Sequence, residues 1–459
     1  MQPALPHELL SLILGELPEP NLLQCALVCR AWNPISRSLV FRTISLYSGK
    51  PVAVKRFLRL CDSPYETFST ANIQVLSISH YLSKRSEKPE HLPLNRLLTW
   101  HSSDGKRTIP TMFHRLRRLT LFWVDWSMLV EEAKRTLSAG FKGVTDLELY
   151  SSTFAQYDEF SALLHSFPVL RSMEMTECRG PSPESECTFT EMPSGSGGHA
   201  SLEYLSICRM RDAKLIQLLV PSPSLRSFIW WHLSFLESDR DKESFRVLSM
   251  VNQVLLSASS TLEELGIYFG CYYQASIGRS VFEYLDLSRY TRLRSIGLSA
   301  SPECIMYFLN RLASIGHPEH DHSPLKVLKI PSLPSLDLCW YMLDNVLQSS
   351  YFSSLCELQC DFPCSFSPED VTEQAKALWY DAPDKRSTAE IDLQERMEHF
   401  RMYLPRCNKR GILKLRVEYW YVPRWLDDVD FLPRLTRRQR VVAAVRRAVM
   451  FVKRLGRRE

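Results

Sequence analysis

The chain has 459 residues, 45% apolar and 23% charged, enough for up to three domains or for one small module joined to a long repeat array, and a composition that excludes a disordered chain. Its net charge of +5 collects largely in the last stretch, from Arg437 through Arg458, so the rest is near neutral and excluded as a general polyanion binder. No apolar run reaches the roughly 18 residues of a membrane span, and the first residues lack the basic-then-apolar pattern of a secretory leader, so a cytoplasmic or nuclear protein is expected. In such a compartment the 13 cysteines, scattered through apolar strings, are expected to pack as small apolar side chains with no disulfide framework.

In chain order, Pro6 opens a helix that sets Leu9, Leu10, Ile13, Leu14 and Leu17 at helical spacing and stops at Gly15–Pro18. A second apolar string runs from Leu22 to Cys29, and a third follows Trp32-Asn33-Pro34 through Ile35, Leu39 and Phe41. Three short helices make too small a core to stand alone, so either the rest of the chain or a partner must cover the remaining apolar face.

Leu5-Pro6-His7-Glu8, the step from Ile13 to Leu17, and Val28-Cys29-Arg30-Ala31-Trp32 stand in the order and at the spacing of the F-box, which this segment resembles. That resemblance covers about a tenth of the chain and implies docking on a Skp-type adaptor, and through it a link to a cullin scaffold. By position it sets Leu5, Pro6, Leu9, Leu10 and Ile13 at the adaptor interface, and makes Leu22, Leu23, Val28, Cys29 and Trp32 partly interface and partly core. The alternative for these helices is a cap that seals the first repeat.

Beyond residue 70 one pattern returns: apolar, two residues, apolar, one residue, apolar. Its copies are Ile73-Leu76-Ile78, Leu116-Leu119-Leu121, Val144-Leu147-Leu149, Leu170-Met173-Met175, Leu202-Leu205-Ile207, Leu225-Phe228-Trp230, Leu262-Leu265-Ile267, Leu293-Ile296-Leu298, Leu325-Leu328-Ile330, Leu355-Leu358-Cys360 and Ile412-Leu415-Val417. The segments between them often read as helical. The second and third apolar residues should point inward from a strand, and stacking the strands gives a parallel sheet backed by helices. The pattern resembles leucine-rich repeats, and more loosely those of many fungal F-box proteins. The Asn or Cys that usually follows the strand is mostly missing, although Cys178 and Cys271 stand near such positions. The expected fold is α/β, a three-helix F-box followed by an irregular leucine-rich-repeat solenoid, with a generic α/β domain as the alternative.

The expected boundaries are an F-box at 1–46, a connecting helix or linker at 47–70, the solenoid at 71–422 and a basic terminal helix or cap at 423–459. Within the solenoid, 84–110 and 180–200 read as loops rich in Ser, Pro, Gly and charge, and 367–404 as a helical insertion. No phosphate loop, nucleophile elbow or zinc spacing is present, and the turn His317-Pro318-Glu319-His320-Asp321-His322 is expected to be a solvated connection rather than a metal site. No catalytic residue, metal or cofactor is assigned.

Specificity is expected on the outward strand positions, where Phe122, Tyr150, Trp231 and Tyr268 are candidate target-binding anchors among Glu148, Glu174, Lys329 and Arg416. The implied function is a non-enzymatic substrate receptor of an SCF-type ubiquitin ligase that holds a protein target. The alternatives are a non-degradative interaction scaffold, and a nucleic-acid-binding protein that acts through the basic tail.

Overall fold

Alternating and helical apolar spacing divide this chain into two units, residues 1–42 with 419–459 and residues 43–418. The structure, a computed structural model, describes residues 7–17, 19–47, 51–63, 72–79, 93–181, 200–232, 241–269, 281–285, 287–314, 325–331, 339–363, 397–398 and 400–418.

In the first unit the leucine spacing folds as α1 (His7–Gly15), α2 (Glu19–Cys25) and α3 (Trp32–Val40). Leu10 and Leu14, four apart on α1, meet Leu22, Ile35 and Val40, with Leu17, Cys25, Trp32, Leu39 and Phe41 packed around them. The Asn33 amide donates to the Ala26 carbonyl at 2.8 Å and ties down the turn into α3. Five buried side chains contribute about 1.5–3 kcal/mol each, against about 1–2 kcal/mol per residue for ordering the backbone, so this core is marginal by itself.

The second unit is built on one parallel sheet of 12 strands in which every strand pairs with its neighbours in sequence. The strands are β1 (Thr43–Tyr47), β2 (Val75–Ser79), β3 (Arg118–Phe122), β4 (Asp146–Tyr150), β5 (Ser172–Thr176), β6 (Tyr204–Cys208), β7 (Ser227–His232), β8 (Glu264–Phe269), β9 (Ser295–Ser299), β10 (Val327–Pro331), β11 (Glu357–Pro363) and β12 (Leu413–Glu418). This is the sequential solenoid order that the repeated apolar pattern implies. From β2 to β11 the two inward residues of every strand are buried, as Leu119 and Leu121 or Phe228 and Trp230 illustrate. They pack under a layer of helices joined by aromatic contacts, among them Trp126 against Phe154 at 5.1 Å and Phe154 against Phe160 at 5.1 Å.

From β3 to β11 the main chain registers each strand before it starts. The amides of Thr145 and Asp146 both donate to the carbonyl of Arg117, at 2.8 and 2.9 Å, and the same two-pronged bond recurs one strand later when Arg171 and Ser172 donate to Thr145. It continues through Cys356 and Glu357 on Lys326. After β3, β4, β5 and β6 the chain turns through residues with positive φ, Trp123 (55°), Ser151 (49°), Glu177 (54°) and Arg209 (52°). Each left-handed residue stores about 1 kcal/mol of strain. Each also sends its amide to the last residue of the next strand, as Trp123 to Tyr150 at 2.7 Å, or to its penultimate residue, as Arg209 to Trp231 at 2.9 Å. This backbone ladder takes the place of the missing Asn. Among the described residues only Cys178 plays the expected side-chain part, its thiol reaching the Leu149 carbonyl at 3.5 Å from a buried site that pushes its pKa up to about 12. Cys271 lies outside the described residues.

Several expectations are corrected. Strand β1 lies at 43–47, so the sheet starts before residue 71 and takes in the end of the segment assigned to the F-box. The segment 47–70, expected as a connecting helix or linker, holds the helix Pro51–Cys61 and is not among those corrected. The expected loop at 84–110 contains the helix Pro93–Leu98, which buries Leu94, Leu97 and Leu98. There Asn95 donates to the Met128 carbonyl at 2.8 Å and accepts from the Val130 amide at 3.2 Å, which satisfies a buried amide that composition alone makes look solvated.

The last strand also enters two residues early. Leu413, not Leu415, pairs with Leu358. It follows the helix Pro405–Lys409, whose first amides, Arg406 and Cys407, donate to buried Asp344 at 3.0 and 2.9 Å and anchor the chain. A shift of two residues keeps the same face inward. Residues 182–199 of the second expected loop, 364–396 of the helical insertion, the histidine-rich turn at 317–322 and the basic segment at 423–459 lie outside the described residues.

Candidate functional site

Two surfaces can carry function. The first is on α1 and the turn after α2. Leu9, Leu12 and Ile13 share one side of α1 and are 49%, 68% and 53% exposed, opposite the side that supplies Leu10 and Leu14 to the core. Leu23 and Val28 are also exposed, and Leu27 is 86% exposed. Apolar side chains concentrated on so small a unit are a signature of a surface that another protein covers.

Of the residues expected at the adaptor interface, Leu9, Ile13, Leu23, Val28 and Cys29 stand outward. Leu10, expected at the interface, is buried in the core, as is Leu22, expected to be partly core; Trp32 packs against the same core. Leu5 and Pro6 lie outside the described residues. Leu12 and Leu27 escape motif reasoning, although helical spacing puts Leu12 beside Leu9 and Ile13.

The second surface is the sheet face opposite the buried one. Phe122 and Tyr150 are stacked with centroids 4.8 Å apart, and Trp231 and Tyr268 are stacked at 4.1 Å. Phe122, Tyr150 and Trp231 are partly exposed or lie at its edge, but Tyr268 is pressed flat on the sheet and buried. Gly266 and Gly297 make room for it, since a Cβ at either position would collide with its ring. Tyr268 therefore supports Trp231 rather than offering itself as an anchor.

Charges on this face are unevenly paired. Lys329 on β10 reaches Glu264 on β8 at 2.6 Å and, against the desolvation that would raise it, holds that carboxyl below its usual range. Arg118 lies 3.6 Å from Glu148 and 3.7 Å from Asp146, and Thr120 donates to Glu148 at 2.9 Å. Glu174, on the next strand, is more weakly compensated. Burial, and after it the neighbouring Glu148, push its carboxyl up, while the Tyr150 hydroxyl donating to it and the charge of Arg118 offset only part of that rise. Burial and the same two carboxylates also raise the Tyr150 phenol. Arg416 on β12 is registered beside Asp361 on β11.

Among the described residues no helix is long and apolar enough to cross a membrane. Residues 3–47 match the family model described as F-box-like. Among solved structures, a leucine-rich-repeat protein of Leptospira interrogans is 13% identical over 69% of this chain and 97% of that one, with a TM-score of 0.16. No curated protein matches. Nothing in these findings supports a specifically fungal type. The chain thus carries an F-box-like domain at its N-terminus, followed by a parallel-sheet repeat region of the leucine-rich-repeat kind.

Proposed function

We propose that this protein is the substrate-recognition adaptor of an SCF-type cullin-RING ubiquitin ligase, its F-box-like helices binding a Skp-type adaptor and its open sheet face binding a protein target. The observation that carries the proposal is the exposed apolar side of α1, Leu9, Leu12 and Ile13, within the residues that match the F-box-like family. The core behind it is too small to require that side, and burying it on a partner contributes the roughly 25 cal/mol per Å² of the hydrophobic effect. Such a receptor acts by proximity: it holds target lysines near a conjugating enzyme and supplies no reacting group of its own.

The test is a pull-down of the full chain with a purified Skp-type adaptor, compared with the Leu9→Asp, Ile13→Asp double variant after circular dichroism has verified its fold. Retention of the wild type and loss of the variant are expected. No retention of the folded wild type would overturn the proposal and make these helices a cap. A non-degradative scaffold shares the adaptor contact, so target abundance separates the two: a receptor's target accumulates when the chain is deleted, and a scaffold's does not.

A further inference from the structure

Across β4 to β8 the open face holds four carboxylates, Asp146, Glu148, Glu174 and Glu264, and the registered outward positions of β5, β6 and β7 supply no lysine or arginine. Cations enter this row from its two ends, Arg118 on β3 and Lys329 on β10, each already paired. The centre is thus left with excess negative charge.

The shape of the same region is complementary to one kind of side chain. Tyr150 on β4 and Trp231 on β7 stand three strand spacings apart, about 14 Å. Between them the outermost outward positions hold only Thr176 and Cys208, both partly exposed. Glu174 lies in the middle row of this trough, with Glu148 registered next to it. Aromatic walls, a floor of small side chains and two carboxylates on adjacent strands together suit a planar cation, which can stack on a ring and donate several hydrogen bonds at once. A carboxylate partly desolvated beside a second one also gains more from such a partner than a solvated one does.

We infer that the trough between Tyr150 and Trp231 receives an arginine-bearing basic segment of the protein target, with Glu148 and Glu174 holding the guanidinium. The inference rests on the reading of the open face as the target-binding face, and it names the chemistry of that target.

The experiment is fluorescence anisotropy of the full chain with a short labelled peptide of alternating arginine and alanine, against a matched glutamate and alanine peptide. The expected result is saturable binding of the arginine peptide only, weakened about tenfold in Glu148→Gln, Glu174→Gln and similarly in Trp231→Ala. The variant Glu131→Gln, Glu132→Gln removes the same charge from the exposed first turn of the helix Glu131–Gly140 and should bind like the wild type. Because a glutamine side chain at position 174 can still accept from the Tyr150 hydroxyl, the first variant keeps the fold, which thermal melting verifies. Equal weakening in both double variants, or no binding by the wild type, would overturn the inference. So would binding that emerges only after deletion of residues 434–459, since the chain's own basic segment would then be the occupant. None of these outcomes depends on the adaptor pull-down, so this inference and the ligase proposal fail separately.

Discussion

In the N-terminal helices Leu9, Leu12, Ile13, Leu23, Leu27 and Val28 face outward beside a core of Leu10, Leu14, Leu22, Ile35 and Val40, whereas in the sheet both inward residues of every strand from β2 to β11 are buried. The difference follows from how each unit closes. A repeat covers its neighbour, so a strand's apolar pair always finds the next strand's pair and the helix above it. Three short helices have no next copy, and their second apolar side stays exposed. The sheet then leaves outward a mixture of aromatics, carboxylates and small polar residues rather than a continuous apolar surface.

The strongest way to break this comparison is the Leu9→Asp, Ile13→Asp variant. It should weaken binding of a Skp-type adaptor by about a hundredfold or more, as hot-spot losses of about 3 kcal/mol or more do, while the urea midpoint of the sheet unit stays unchanged. Calorimetric titration measures the first and fluorescence-monitored unfolding the second. If the sheet midpoint falls as well, the two units are not distinct.

Core truncation sharpens the contrast. Leu149→Ala, between two buried neighbours on adjacent strands, should cost about 3–5 kcal/mol, and Leu14→Ala in the smaller core about 2–3 kcal/mol, both read from urea unfolding. Asp344→Ala should orphan the Arg406 and Cys407 amides at about 1–3 kcal/mol, and hydrogen exchange should speed up from residue 405 to 418 while β3 to β8 stay protected.

The smallest effect is a pH dependence. Burial raises the Glu174 carboxyl, so between the ordinary carboxylate pKa and that raised value the folded state binds more protons than the unfolded one and stability falls as pH rises. Glu174→Gln should therefore raise the melting temperature at pH 7, with a gain that vanishes below the ordinary carboxylate range. A gain that is constant with pH would mean that the carboxylate's charge is not the cause.

Much of the sheet is legible in the sequence because its apolar pattern returns at a period that only a stacked repeat explains. Strand β1 escapes that reading even though Phe41, Ile44 and Leu46 fit the same pattern, since Phe41 also reads as the end of a helix. The left-handed turns at Trp123, Ser151, Glu177 and Arg209 carry no glycine or asparagine to announce them; the next strand's carbonyl imposes them. The burial of Tyr268 depends on Gly297, a residue of the neighbouring strand, so no local window could find it. On α1 the division of Leu9 from Leu10 does follow from helical spacing, but the family motif treats both as interface.

The two-pronged bond that starts each strand from β3 to β11 also separates length from alignment. Those strands begin as little as 23 residues after the one before, at 204 and 227, and as much as 43 after it, at 75 and 118, yet all stack in one order. A connection that lengthens pays only a slowly growing loop entropy, because the carbonyl waiting on the previous repeat realigns the chain on its return. The connections are thus free to diverge in length and content while the open face keeps its geometry, and new contacts can arise at its margin without refolding the sheet.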